Sequence, residues 1–357
     1  MQGEGGFMNN INDDKKKKNP LSLQIDMELF APATEDEKAQ YVPTRESVSF
    51  MKDAMRRLRR NKMAMVCLWV IVIIALIAFI LPGFYPYTYM QQDVTAQYLS
   101  PMQYSQKELV RIENGESVFP HVMGTDNLGR DYAIRVIYGT RISLLVGIVA
   151  ALIVVVIGII YGSVAGYFGG KIDLVMMRVV DIIYALPDVL IVILLSVAIK
   201  ETVSQSSNAL IAKMGAGMIS IFIVFGLLYW VSMARQVRGQ ILSIKEQEYV
   251  LASRAIGAKA GRIIREHMIP NCVSVIIIVA AMQIPSAIFT ESFLSFLGLG
   301  VSIPMPSLGS LASDARSGLV SYPFLLIFPA FSIFLIVLSF NLLGSGLRDA
   351  FDPKLRS

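Results

Sequence analysis

The sequence predicts an all-α, polytopic membrane protein with six transmembrane helices. Three observations carry this. Of 357 residues, 54% are hydrophobic and only 17% charged, against about 45–50% apolar and about 25% charged in soluble domains. Residues 1–62 hold 22 of the 59 charges, so the remaining chain is poorer still. Finally, the apolar stretches reach the roughly 20 residues that span a bilayer, and the basic residues between them fall mostly on one side.

Residues 1–50 are polar, with the Lys15–Lys18 run and Pro20, Pro32 and Pro43. This composition predicts a flexible cytosolic tail. Residues 51–82 are a basic helical lead-in followed by the first span. Arg56, Arg57, Arg59, Arg60 and Lys62 suit anionic headgroups, and Ala64–Pro82 is the apolar run. That run lies behind a long charged segment with no small-residue cleavage site after it, so it reads as a retained anchor.

Residues 83–140 form an external segment. The core, 141–345, contains the charge-free stretches Ile142–Gly170, Met214–Ala234, Met268–Thr290 and Ser317–Leu347. A further span, Ile182–Ile199, holds Asp188 behind Pro187; without it, basic segments would fall on opposite sides. A cytosolic loop, 235–270, and a cytosolic C-terminal tail, 346–357, complete the organisation. With both termini inside, cytosolic segments carry 24 of the 32 Lys and Arg and external ones carry 8. That bias obeys the positive-inside rule. It also accounts for the net charge of +5 without a nucleic-acid partner.

No catalytic centre is legible. The chain lacks a GxxxxGK[ST] phosphate loop, an HExxH motif and a GxSxG elbow. His121 and His267 are expected on opposite sides of the membrane, and Cys67 and Cys272 read as buried thiols. Gly158, Gly162 and Gly166 recur every four residues on one helix face, a spacing that lets backbones approach closely. The pattern serves packing within the chain or against a second subunit equally well. Asp188 is an ionisable group expected about 20 Å along a helix beginning near Asp173, which makes it a candidate for the translocation path. Glu291 ends the fifth span, where it would touch cargo or anchor a re-entrant segment 292–313. Arg178 and Asp181 are spaced to pair, and Asp126, Arg130 and Asp131 to satisfy a loop at 124–131.

The loop 234–271 reads as two short helices, Glu246–Ile256 and Ala258–Met268, with Gly257 ending the first at positive φ and Pro270 closing the second. A glycine-jointed pair held between spans makes a rigid knob for transmitting force. Its ASRAIGA…IP pattern resembles the EAA motif of ABC-importer permeases, matched at Ala252, Ser253, Gly257, Ile269 and Pro270. Leu251 stands where the motif's Glu would be. Five further blocks fit one branch in consistent order: HVMGTDNLGRD at 121–131, IYGTRISLLVG at 137–147, MMRVVDIIYALP at 176–187, FTESFLSFLGLG at 289–300 and GLRDAFDPKLR at 346–356. From about residue 50 onward the chain resembles the C-type permease subunit of oligopeptide and dipeptide importers.

That resemblance implies a MetI-like core of five helices with one N-terminal helix, forming half of a pore in the bacterial cell membrane. It implies a homologous second permease, two ATP-binding subunits docked on the cytosolic loops, and an extracellular substrate-binding protein that delivers peptide. ATP and magnesium would sit on the partners, with no cofactor on this chain. Importers of nickel, opines or glycans share these blocks and stay open as alternatives. A stand-alone secondary transporter would show internal repeats with matching broken helices.

Overall fold

The computed structural model describes residues 50–205, 215–301 and 305–351. The expectations for the N-terminal tail and for the last six residues of the C-terminal tail lie outside them. The described residues belong to one unit, Phe50–Ser357, and among them there are helices and isolated bridges but no strand.

Helix α1, Phe50–Arg60, is the basic lead-in. Asn61 then caps α2, Lys62–Ile80, its side chain accepting from the Ala64 amide at 3.1 Å. Leu58 and Ala64 close a small core with Ala350 near the chain's other end. Most of α2 leaves its apolar surface exposed, which suits lipid contact. The segment after α2 contributes α3, Gln106–Glu113, whose Ser105–Glu108 capping box satisfies both backbone groups reciprocally.

Helix α4, Tyr132–Phe168, runs for 37 residues. The bent pair α5, Gly170–Ala185, and α6, Asp188–Ser204, follows it. Helix α7, Ala216–Lys245, contains a π-turn at Phe225–Tyr229. The knob is α8, Glu248–Ala255, and α9, Ala260–Ile263, the latter continuing through a π-turn to Met268. Then come α10, Val273–Phe296, the short α11, Leu308–Asp314, and α12, Phe324–Phe351. Five helices (α2, α4, α7, α10 and α12) are long and apolar enough to cross a membrane, and the α5–α6 pair brings the number to six when counted as one span.

The principal core gathers Val146, Ala150 and Val154 of α4 with Met233, Val237 and Ile241 of α7. The glycine stripe creates this contact. Gly158 meets Met233 and Ala234, Gly162 meets the Ala234 carbonyl and Val237, and Gly166 meets Ile241. A Cβ at 162 would sit 2.5 Å from the Ala234 carbonyl oxygen, so any side chain there forces the helices apart. The stripe therefore packs within the chain.

Three sequence expectations are corrected. The sixth span is not a straight helix over Ile182–Ile199, because the chain bends by 93° between α5 and α6. Pro187 supplies no amide, and Leu186 before it is extended at φ −75°, ψ 143°, as the residue preceding proline prefers. Asp188 consequently opens α6 instead of lying deep within a helix; its side chain is outside the described residues. Asp181 does not pair with Arg178, since Arg235 crosses from α7 to meet it at 2.7 Å. Pro270 does not close its helix at Met268: the helical run passes from the π-turn on through Ile269–Asn271 and ends at Cys272.

Candidate functional site

The knob between α7 and α10 is built around one backbone conformation. Gly257 has φ +85°, a left-handed geometry that glycine adopts without strain. The Gly257 amide donates to the Arg254 carbonyl at 3.0 Å and the Ala258 amide to the Ser253 carbonyl at 3.1 Å. These bonds close α8 and turn the chain into α9. Val250 and Ile263, both fully buried, pin the two helices to the main core. Of the expected contact residues, Ala252, Gly257 and Pro270 are exposed and Ile269 is half-buried. Ser253 is buried, and its carbonyl receives the Ala258 amide that closes the turn. Sequence reasoning missed Ile256, which stands 86% exposed at the tip beside Gly257. Its signal was a large apolar residue just ahead of a helix-ending glycine.

The bend between α5 and α6 borders a cavity of about 470 Å³ lined in part by Tyr184, Leu186, Leu228, Tyr229 and Ser232. Arg235 lies beside it, pairing with Asp181 and resting its guanidinium 4.3 Å from the Tyr184 ring centre. One helical turn on, Arg238 grips Asp173 bidentately at 2.5 and 2.6 Å. Two ion pairs thus tie α5 to α7, the helix that leads directly into the knob.

Glu291 is fully buried. It accepts from Ser143 of α4 at 2.8 Å and Ser295 at 2.7 Å, while the Ser143 hydroxyl also receives the Leu308 amide. The carboxylate ties α10 to α4 and, through the Ser143 hydroxyl, to the start of α11. Desolvation explains the serine shell, since a buried carboxylate without donors is costly.

Ahead of α4, Asp126 accepts from the Leu128 and Arg130 amides, the Arg130 guanidinium at 2.7 Å, and Arg135. Asp131 caps α4 through the Ile134 amide and also meets His121 Nδ1 at 2.8 Å. The His121 ring places Nε2 3.3 Å from Glu108. Tyr87 donates to Glu108 at 2.9 Å and stacks on His121. Burial pushes the phenols of Tyr85 and Tyr87 well above the usual tyrosine range. The expected loop-satisfying role of Asp126, Arg130 and Asp131 matches these contacts. Among the described residues no group of His, Cys, Asp and Glu is placed to hold a metal, and Cys67 and Cys272 are free and buried.

Residues 158–357 match the model of the binding-protein-dependent transport system inner membrane component family. The chain belongs to this family. Within the family, residues 49–101 match the N-terminal transmembrane domain of oligopeptide transport permease C. The dipeptide transport system permease protein DppC of Bacillus subtilis (strain 168) is 43% identical over 93% of this chain and 95% of its own length. The oligopeptide transport system permease protein OppC of the same organism is 41% identical over 93% and 99%. The glutathione transport system permease protein GsiD of Pectobacterium atrosepticum is 40% identical over 73% and 82%. This chain is thus a multi-pass permease subunit of an ABC importer family, with the all-helical architecture the sequence predicts.

Proposed function

We propose that this permease forms half of the pore through which an ATP-driven importer takes up oligopeptides or dipeptides. The observation that carries the reading is near-full-length similarity to permeases named for those two cargoes. A homologous permease completes the pore, and an external binding protein delivers the peptide. Two ATP-binding subunits, which hold ATP and magnesium, engage the knob at Ala252, Gly257, Ile269 and Pro270, with Ile256 as the apolar tip. Both termini lie in the cytosol, a placement supported by the bias of basic residues among the loops. Asp188 opens α6 at the break, a position compatible with a place beside the peptide path.

The knob is suited to this work because its turn is rigid and its base is locked into the core. ATP binding that favours one arrangement of the partners then shifts the pore between outward- and inward-facing states. The test is reconstitution of the complete importer with its binding protein. Short peptides are expected to stimulate ATP hydrolysis, while a Gly257→Val variant, strained at φ +85°, keeps basal hydrolysis and loses the stimulation. Stimulation by a metal ion or glycan in place of peptide overturns the cargo assignment; normal peptide stimulation in Gly257→Val overturns the coupling assignment.

A further inference from the structure

We infer that the cavity at the α5–α6 bend is a subsite that takes an apolar side chain of the translocating peptide; this rests on the peptide reading above. Its volume, about 470 Å³, lies within the range of small-molecule sites and exceeds what any single amino-acid side chain needs. The lining is apolar and aromatic, with Leu186, Leu228, Tyr184 and Tyr229, but one wall is Ser232. Such a surface accepts many side chains without demanding one.

Two features favour a peptide over a lipid chain. A helix break leaves the last carbonyls of one helix and the first amides of the next without intrahelical partners. At membrane depth such backbone is tolerated where protein buries it or where it lines an aqueous cavity, and here it borders a cavity. Charges of both signs also lie next to the lining residue Tyr184: Arg235 rests on its ring and pairs with Asp181 at 2.7 Å, both half-exposed. A hydrocarbon tail gains nothing from a paired cation and anion. A peptide, with backbone donors and acceptors and charged ends of both signs, is complementary to them.

Tyr184 is the expected gatepost. It is 69% exposed, held by Arg235 across its ring face, and buries little against the rest of the chain. Leu228, half-buried on the opposite wall from the π-turn of α7, sets how deep a side chain reaches.

The test compares uptake of Ala-Phe-Ala and Ala-Gly-Ala by the complete importer in proteoliposomes. The ratio of the two cancels any selection by the binding protein, which is the same for every variant. Leu228→Trp fills the cavity and is expected to lower Ala-Phe-Ala uptake at least fivefold more than Ala-Gly-Ala uptake. Tyr184→Ala widens the mouth and is expected to raise the ratio about twofold; should Leu228→Trp fail to assemble, this exposed position decides. An unchanged ratio in Tyr184→Ala and in any assembled Leu228→Trp overturns the subsite, and so does an acyl chain found by mass spectrometry to fill the cavity during unimpaired transport. Uptake of neither peptide by the wild-type importer overturns the peptide reading, and the subsite with it.

Discussion

Arg238 and Asp173 form a two-pronged ion pair across 65 residues of sequence, with nitrogen–oxygen distances of 2.5 and 2.6 Å. Fork-to-fork geometry of this kind is stronger and more directional than a single contact. Helix α5 buries little apolar surface of its own, Val180 being its one buried residue, so this pair and Arg235–Asp181 are its main polar tethers to α7.

Arg238→Ala is therefore expected to destabilise the α5–α7 contact by about 1–3 kcal/mol, the range for charge-assisted bonds. Arg238→Lys should recover part of that, because an ammonium cannot match both carboxylate oxygens. A double-mutant cycle with Asp173→Asn, read from thermal unfolding in detergent, checks the coupling. Additive losses would show that the two residues do not act as a pair.

The glycine stripe makes a prediction with an internal control. Gly162→Ala pushes a methyl group against the Ala234 carbonyl and should cost roughly 1–3 kcal/mol, as overpacking does. Gly239→Ala lies on the same α7 helix with nothing within 4 Å of its added Cβ. It should stabilise by about 0.5–1 kcal/mol through helix propensity. Opposite shifts in unfolding temperature are expected, and equal shifts would contradict the close approach.

At Glu291 the shell of serine hydroxyls discriminates between two replacements. Glu291→Gln keeps an acceptor for Ser143 and Ser295 and should change stability by less than about 1 kcal/mol. Glu291→Leu strands those hydroxyls in a sealed site and should cost about 2–4 kcal/mol, two unsatisfied groups at once. Thermal unfolding ranks the pair. The same variants measured for uptake separate anchor from path, since Glu291→Gln is expected to transport normally.

His121 stands between two buried carboxylates, Asp131 and Glu108. Replacing it with Ala removes the ring that lies between them and contacts both. The segment before α4 is expected to lose about 1–3 kcal/mol of local stability, the cost of leaving buried polar groups without their partner. Hydrogen exchange over residues 99–131 should rise while exchange in α7 stays unchanged. Uniform protection in both regions would contradict the bridging role.

A membrane-impermeant maleimide tests the sidedness read from the charges. Ile256→Cys and Val320→Cys are 86% and 97% exposed at the native residues, whereas Cys67 and Cys272 are buried. In intact cells Val320→Cys should label and Ile256→Cys should not, with both labelling in inverted vesicles. The reverse pattern would invert the topology.

Much of this was legible because lipid simplifies the code. Span-length runs such as Met63–Gln92 and the i, i+4 glycines announce helices and their contact face directly, and Gly257 announces its turn through the one residue that tolerates it. What stayed hidden depends on partners distant in sequence. Gly158, Gly162 and Gly166 fit an external partner as well as an internal one until α7 is in place. Asp181 has a plausible neighbour at Arg178, yet Arg235, 54 residues on, takes it. The 93° bend was masked by apolarity, since Leu186–Pro187 interrupts the backbone without interrupting the hydrophobic run. Ser253 matched a motif position, but only packing reveals which side of α8 it occupies.

At 1.5 Å per residue, α4 is about 55 Å long, nearly twice the roughly 30 Å hydrocarbon thickness of a bilayer. Its outer end carries the Asp126 and Asp131 networks, and its inner half is seamed to α7 by glycine. A rigid rod of that length is a lever: pivoting it by about 5° carries one end about 5 Å sideways. Small motions at its glycine-seamed half against α7 are thereby magnified at its far end, where Asp131 caps the helix.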